Sequence, residues 1–209
     1  MRSYGQYCAV ARALDLIGDR WTLLIVRELL LRGPSRYTDL REGLPGIATN
    51  LLADRLRELE DLGLVAREDA PPPIAATLLR LTPRGEELRP VITALGQWGI
   101  PLMADPPRGD EFRAYWLALP VALYLSDSAP EKPPVAIEVR TGAEPVVIET
   151  ADGAVRTRAG AADDPDAVLT GAPELIAAVL TGTLALKDAV AKGLKLDGDR
   201  AALRRLLPA

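Results

Sequence analysis

Residues 36–67 read RYTDLREGLPGIATNLLADRLRELEDLGLVAR and contain two helix patterns separated by a tight connector. A short helix is predicted over residues 37–42, and a second, amphipathic helix over residues 49–62 follows the connector 44–47. In the second helix, leucines recur on one face, while small, polar and arginine side chains lie near the start of the other face. Two short helices with this arrangement are typical of a helix-turn-helix DNA reader.

A β-hairpin is predicted directly after the second helix. Gly63 ends the helix, residues 64–67 form a strand, the prolines at 71–73 form a stiff tip, and residues 77–81 return as a strand. A hairpin at this position indicates the wing of a winged helix-turn-helix. Thr82 is then expected to cap one further helix, with Pro83 in its first turn.

The helix after the hairpin carries an apolar seam. Its members recur at spacings of three and four residues and are Leu88, Val91, Leu95, Trp98 and Leu102. We expect this seam to lie outside the small domain core and to form the contact of a homodimer. A twofold dimer suits a DNA reader, because symmetric half-sites one helical turn apart match a twofold protein. Packing of the seam against its own domain is the alternative.

Two more helices are predicted upstream of residue 36. The first covers residues 8–17 and ends at Gly18. The second covers residues 21–31, with Asp19 as its expected cap. Its broad buried stripe is expected to contain Trp21, Leu24, Ile25, Leu29 and Leu31.

Composition narrows the class of protein. A length of 209 residues predicts two compact units of about 100 residues each. No apolar run approaches the roughly 20 residues needed to span a bilayer, and the start MRSYGQYC lacks a signal-peptide core, so we expect a cytoplasmic chain without membrane contact. The absence of histidine removes the commonest general base and metal ligand. We therefore expect no catalytic residues, no metal site, no cofactor and no enzymatic activity.

The net charge of the chain does not indicate DNA binding, but the type of basic residue in its N-terminal half is compatible with it. The formal net charge is -4, which does not favour a nonspecific nucleic-acid coat. Every basic residue before position 105 is an arginine, the side chain suited to bidentate contacts with phosphate and guanine. The alternative is that arginine in place of lysine reflects a GC-rich genome.

Three stretches, in this combination and order, resemble the HxlR family of winged-helix regulators over residues 7–104. They are YCAVARALDLIGDRWTLLIVRELL at 7–30, RYTDLREGLPGIATNLLADRLRELEDLGLV at 36–65 and LTPRGEELRPVITALGQWG at 81–99. The resemblance implies a DNA-binding and dimerisation domain over residues 1–105. It places the helix 49–62 in the major groove of double-stranded DNA and the hairpin 65–81 near the flanking backbone.

The resemblance also implies DNA-contacting residues. They are Arg36, Tyr37, Thr49, Asn50, Arg55 and Arg57, with Arg67 and Arg80 as wing contacts. The alternatives are that Arg55 and Arg57 are solvated helix charges paired with Glu58, Glu60 or Asp61, and that Tyr37 is a partly buried core residue. Asp54 places a negative charge on the face expected to meet DNA. Cys8 matches a position that is commonly cysteine in the family, where it is either a thiol sensor or a small apolar residue.

Beyond a linker predicted at residues 105–109 (DPPRG), the sequence indicates a second unit. Phe112, Trp116, Leu119 and Leu123 share one helical face. Three strands near residues 135–139, 146–148 and 155–157 predict an antiparallel meander with one apolar face. A strand within 163–170, helices over 173–180 and 186–191, a strand at 194–196 and a final helix to residue 207 follow.

The second unit, from about Phe112 to Leu207, resembles the sterol carrier protein 2 family. The resemblance is clearest in the stretch 146–207, VVIETADGAVRTRAGAADDPDAVLTGAPELIAAVLTGTLALKDAVAKGLKLDGDRAALRRLL. The resemblance implies a sterol carrier protein 2-like α/β domain over residues 110–209, with an apolar tunnel that binds lipid-like molecules. The residues expected to line it are Trp116, Leu119, Leu123, Val135, Ile137, Val146, Ile148, Ile176 and Leu180. The alternative is that all nine side chains fill an ordinary core, because apolar periodicity indicates burial and not a cavity.

Together these patterns predict an α+β protein with an N-terminal winged helix-turn-helix domain and a C-terminal ligand-binding domain. The leading hypothesis is a dimeric transcription regulator in which a hydrophobic small-molecule effector shifts the relative placement of the two recognition helices. One alternative is a lipid carrier whose winged helix serves as a dimerisation scaffold. Another is a regulator switched through the thiol of Cys8.

Overall fold

The computed structural model describes residues 3–71, 75–104 and 109–208, and the chain divides into two compact units between Ile92 and Thr93. Pro72, Pro73 and residues 105–108, on which the stiff tip and the linker were expected, lie outside the described residues. The domain limits 1–105 and 110–209 therefore stay predictions. Among the described residues, no helix is both long enough and apolar enough to cross a membrane.

The first unit is a winged helix-turn-helix, which confirms the predicted architecture. Its elements are α1 (Ala9–Ile17), α2 (Thr22–Arg32), α3 (Tyr37–Glu42), α4 (Thr49–Asp61), β1 (Val65–Asp69), β2 (Thr77–Leu81), α5 (Pro83–Glu86) and the start of α6 (Arg89–Gly99). β1 and β2 pair antiparallel, with Val65 opposite Leu81. The wing therefore follows α4 directly, and α6 continues across the division into the second unit.

The apolar face of α4 anchors it in the core of the first unit. Leu52 and Leu56 are fully buried, and Leu59 is 1% exposed. Each such side chain stabilises the fold by roughly 1.5–3 kcal/mol relative to an exposed position. The expectation for α2 was partly wrong, because Leu24 is 41% exposed and the buried side of that helix is formed by Ile25 and its neighbours.

The single helix expected after the wing is divided in two. Thr82 caps the first part as predicted, since its Oγ1 accepts a hydrogen bond from the backbone N–H of Gly85 at 3.1 Å. The helix is interrupted between Glu86 and Arg89. Pro90 explains the interruption, because it lacks the N–H that would donate to the carbonyl of Glu86.

The second unit packs helices on a five-stranded mixed sheet. Two 3-10 segments, Ile100–Ala104 and Ala114–Leu117, precede α7 (Ala118–Tyr124), β3 (Ala136–Arg140), β4 (Val146–Ala151), β5 (Ala154–Ala159), β6 (Ala167–Thr170), α8 (Pro173–Leu180), α9 (Leu186–Ala191), β7 (Lys195–Gly198) and α10 (Arg200–Leu206). The strand order is β5-β4-β3-β6-β7, so the predicted antiparallel meander of β3, β4 and β5 is confirmed. β6 pairs with β3 in parallel, which the sequence did not indicate.

One face of this sheet carries the core of the second unit. Ile137 lies opposite Ile148 on β4 and Ala167 on β6, and α8 and α10 add further buried side chains. The helical phase near residue 116 differs from the expectation, because Leu117 and Val121 are 1% exposed while Trp116 is half-buried. The 3-10 segment has three residues per turn instead of the 3.6 of an α-helix. The buried face of α7, which follows it, is therefore rotated relative to the face expected for one continuous α-helix.

Glu138 is buried on the opposite face of the sheet, where it holds the segment between β5 and β6. Its Oε2 accepts the backbone N–H of Ala162 at 2.8 Å, and its Oε1 accepts Arg140 Nε at 2.6 Å. Beside it, Arg158 donates to Glu149 at 3.0 Å and to the carbonyl of Ala161 at 2.9 Å. The Ala162 N–H and then the Arg140 guanidinium hold the pKa of Glu138 below its usual range.

This lowered pKa makes a pH-dependent contribution to stability. The contribution is present above the pKa of an unfolded glutamate, about 4.3, and is lost as the pH falls through the lower pKa of the folded state. We expect Glu138→Gln to melt below the parent protein at pH 7, and the difference in Tm to close as the pH falls below 4. Thermal denaturation from pH 7 to pH 3 measures this, with the exposed Glu144→Gln as control. A difference in Tm that stays constant over this range contradicts the assignment.

Candidate nucleic-acid interface

The start of α4 presents polar side chains to solvent. Thr49 and Asn50 form its first turn and are exposed, whereas Leu52 and Leu56 further along the helix are buried. The hydroxyl of Tyr37, on α3, donates to the backbone carbonyl of Thr49 at 2.7 Å. This hydrogen bond connects α3, the first helix of the helix-turn-helix, to the first residue of α4. It therefore fixes the position of the N-terminus of α4 relative to α3. Tyr37 itself is half-buried.

Further along the exposed face of α4, Arg57 is paired with an acid of its own helix. Its side chain is 66% exposed, and its Nη2 lies 2.5 Å from Asp54 Oδ1. An exposed pair three residues apart contributes only about 0.3–0.5 kcal/mol. Arg57 can therefore exchange Asp54 for a phosphate at small cost. The pairing of Arg57 with Glu58, Glu60 or Asp61 is therefore not observed, whereas Arg55 does contact Glu58.

Arg55 occupies a different environment from Arg57. Its side chain is only 19% exposed, and its Nη1 donates to Asp19 Oδ2 at 2.6 Å and also contacts Glu58. Asp19 was expected to cap α2, and this was wrong: Trp21 holds the N-cap position, without a side-chain hydrogen bond. The carboxylate of Asp19 instead binds Arg55 of α4.

The three arginines predicted to contact DNA from outside α4 also lie at the surface. Arg36 is exposed at the start of α3, where its backbone N–H donates to Asp39 at 3.1 Å. On the wing, Arg67 Nε donates to Glu60 Oε1 at 2.7 Å, and Arg80 Nε lies 2.8 Å from Glu68 Oε2. The wing arginines are 54% and 42% exposed, so water already competes with these ion pairs.

The apolar seam of α6 is exposed, apart from Leu88, which packs on the core of the first unit. Val91 is 39% exposed, Leu95 47% and Trp98 73%, and Leu102 in the following 3-10 segment is 68% exposed. An exposed apolar row of this length is typical of a protein–protein contact.

A second exposed apolar row lies on α1. The helical spacing of Val10 and Leu14 predicted the helix but not their exposure. Val10 is 67% exposed and Leu14 43%, and Tyr7, just before the helix, is fully exposed. Their spacing was the only available signal, and the same spacing is found in helices that face a core.

Cys8 is exposed immediately before α1. The backbone N–H groups of Ala11 and Val10 lower the pKa of its thiol. Arg12, one turn further on, lies 3.7 Å from Asp15 and is not among the groups that shift this pKa. The thiol is thus more acidic than an ordinary cysteine through the helix terminus, and the thiol switch stays a prediction.

The nine residues expected to line a tunnel are all buried or half-buried in the second unit. Five of them are buried, namely Ile137, Val146, Ile148, Ile176 and Leu180, and four are half-buried, namely Trp116, Leu119, Leu123 and Val135. Leu119 packs on α6, because its Cδ2 lies only 2.4 Å from the position that a Cβ on Gly96 would take. These contacts describe packing, so the tunnel stays a prediction.

Comparisons with known proteins match the N-terminal half of the chain. The family described as HxlR-like helix-turn-helix matches residues 16–105. The chain is 36% identical over 95 residues to the HTH-type transcriptional regulator sll1512 of Synechocystis sp., a match that covers 46% of this chain and 70% of the relative. It is 35% identical over 86 residues to the HTH-type transcriptional regulator YodB of Bacillus subtilis, covering 41% of this chain and 76% of that relative.

Among solved structures, the chain is similar to the reduced form of the transcriptional regulator YodB from B. subtilis. The sequence identity is 33%, the TM-score is 0.40, and the match covers 45% of this chain and 92% of that chain.

Proposed function

This chain belongs to the HxlR-like helix-turn-helix family of transcriptional regulators through residues 16–105, and from that membership we propose a DNA-binding regulator that reads two half-sites as a homodimer. In this proposal, each copy of α4 enters a major groove, and the wings lie over the flanking backbone. The two recognition helices are related by the twofold axis of the dimer, so they meet the same face of the duplex one helical turn apart.

The observation that carries the proposal is the exposed, polar first turn of α4 on a helix whose other face is buried. Asn50 is suited to base recognition, because an amide donates to N7 and accepts from N6 of adenine in a bidentate contact. Thr49, in the same first turn, and Arg57, two turns further along the helix, are also exposed. Tyr37, fixed to the carbonyl of Thr49, keeps this turn in place.

The remaining contacts in the proposal go to phosphates and position the protein without reading sequence. Arg36 is placed at the start of α3, and Arg67 and Arg80 are placed on the wing. The ion pairs of the wing arginines with Glu60 and Glu68 are exposed and weak, so DNA phosphates can replace these acids. Arg55, predicted from the resemblance as another contact, is treated below because its environment differs.

The exposed rows on α6 and α1 support the homodimer. Pairing would remove the apolar surface of Leu95 and Trp98 from water, which stabilises the dimer by about 25 cal/mol for each Å² buried. Burial by a second copy also explains why Trp98, a large apolar side chain, is 73% exposed in a single copy.

The test is a gel-shift titration with the chain's own promoter region at several salt concentrations. We expect a sequence-selective complex whose affinity falls steeply with salt. Asn50→Ala is expected to weaken this complex by about 5- to 150-fold, since a bidentate base contact is worth roughly 1–3 kcal/mol. Arg156→Ala, which removes an exposed arginine of the second unit, is the control and should leave the affinity unchanged.

Two outcomes contradict the proposal. The first is the absence of any selective, salt-dependent complex, which is what the lipid-carrier hypothesis predicts, because a winged helix used only as a scaffold has no DNA affinity to lose. The second is a complex that Asn50→Ala and Arg156→Ala weaken equally.

The second unit is proposed to receive a hydrophobic small-molecule effector. The support is the resemblance of residues 146–207 to the sterol carrier protein 2 family and the half-buried aromatic segment before α7, where the rings of Phe112 and Trp116 meet edge to face at 6.3 Å. Native mass spectrometry of protein freshly purified from its host is expected to show a co-purifying apolar molecule. The mass of the bare chain in every preparation contradicts the effector.

A further inference from the structure

Arg55 lies on the recognition helix but faces the turn between α1 and α2. Its Nη1 donates to Asp19 Oδ2 at 2.6 Å and also contacts Glu58, one turn further along α4. Its Nε is buried and forms no hydrogen bond within the part of the chain that the structure describes. Arg55 lies three residues after Leu52 and four before Leu59, both of which are buried, so it borders the face of α4 that packs on the core.

The turn that Arg55 reaches, residues 18–21, is held in an uncommon conformation. Trp21 has φ 81°, in the left-handed region that bulky side chains rarely adopt. Such a conformation persists where surrounding contacts fix it. The Trp21 ring reaches to 4.0 Å from the position that a Cβ on Gly46 would take, and the guanidinium of Arg20 lies 5.5 Å from the ring centroid. The turn 18–21 therefore contacts both the α3–α4 connector and α4 itself.

We propose that Arg55 is a positioning residue: through Asp19 it fixes the rotation of α4 on the turn 18–21, and it does not contact DNA. This inference rests on the proposed function, in which the rotation of α4 decides whether Asn50 meets a base edge. To reach a phosphate, Arg55 would have to leave two carboxylates and a largely buried position. Arg57, two residues further on and 66% exposed, has only to exchange Asp54.

The two roles predict opposite effects of removing Asp19. If Arg55 positions α4 through Asp19, Asp19→Asn and Arg55→Gln both weaken DNA binding, and the double variant is no weaker than Arg55→Gln alone, because both substitutions remove the Asp19–Arg55 interaction. If Arg55 contacts DNA, Asp19→Asn frees it and deletes a negative charge, so binding is unchanged or tighter. The Asp19→Asn variant therefore separates the hypotheses by the sign of its effect.

The experiment uses fluorescence anisotropy of the full chain on a duplex selected by the parent protein from a random pool, over a range of salt concentrations. We expect Asp19→Asn and Arg55→Gln each to raise Kd on the order of tenfold, the effect of a mid-range coupling between paired residues. The slope of log K against log salt should match that of the parent, because no phosphate contact is lost. Arg57→Gln is the matched control and should reduce the slope by about one phosphate contact. A reduced slope in Arg55→Gln, with unchanged or tighter binding in Asp19→Asn, overturns the inference.

A second readout requires no DNA. Hydrogen exchange of the α4 backbone amides should accelerate in Asp19→Asn and in Arg55→Gln, and should not change in Arg57→Gln. Equal exchange in all variants overturns the positioning role. A parent protein that selects no duplex defeats the proposed function, and hydrogen exchange then still decides whether Arg55 and Asp19 hold α4.

Discussion

Replacing Leu95 and Trp98 together by glutamate is expected to yield a monomer that binds a two-half-site duplex at least about 100-fold more weakly than the parent protein. Both side chains are exposed on α6, and a second copy of the chain would bury them. A carboxylate in that position would have to lose its hydration without a partner, which costs more than the apolar contact gains. In a dimer, binding of the first half-site brings the second copy close to the second half-site. A monomer loses this gain in effective concentration.

Sedimentation velocity and anisotropy titration measure the two parts of this prediction. Gln97→Glu is the matched control, because residue 97 is exposed on the same helix but lies on another side from Leu95 and Trp98. It should remain a dimer with unchanged affinity. A double variant that is monomeric and still binds with the affinity of the parent would show that pairing through α6 is not needed for DNA binding.

The second large effect is expected from Leu56→Ala, which leaves a cavity beneath the recognition helix. Leu56 is fully buried in the core of the first unit. Such truncations lower the free energy of unfolding by about 2–5 kcal/mol. The cavity also removes packing contacts that hold α4 in position on the core. DNA affinity should therefore fall even at temperatures where the variant is folded.

Leu203→Ala is the matched control for this effect. Leu203 is also fully buried, but in the core of the second unit. We expect a comparable loss of stability in urea denaturation, without a loss of DNA affinity at 25 °C. An equal loss of affinity in both variants would mean that stability, and not the packing of α4 on the core, controls DNA binding.

The first unit could be predicted closely from the sequence because its signals are local. The bounds of α3 and β2 agree with the structure, and α4 begins at Thr49 as expected. Leucines at helical spacing, Gly63 after α4 and the alternating strands of the hairpin define these elements within a few residues of chain. The polar first turn of α4 was therefore also predicted.

Features that depend on distant residues could not be predicted. Arg55 and Asp19 are 36 residues apart, and no periodicity relates them. The parallel pairing of β3 with β6 and the burial of Glu138 beneath the segment that follows β5 likewise arise only when the sheet is assembled. Glu28, a charged residue with no exposed surface on α2, breaks the apolar pattern on which the expectation for that helix relied.

The most direct test of the central claim is hydroxyl-radical footprinting of the full chain on its selected duplex, with the stoichiometry measured in parallel. Two copies of the chain should bind one duplex and protect two half-sites on the same face, with centres about 10 bp or a multiple of that distance apart. Asn50→Ala should lose protection at both half-sites together. A single protected site bound by one copy, or protection indistinguishable from that on random DNA, would contradict the account.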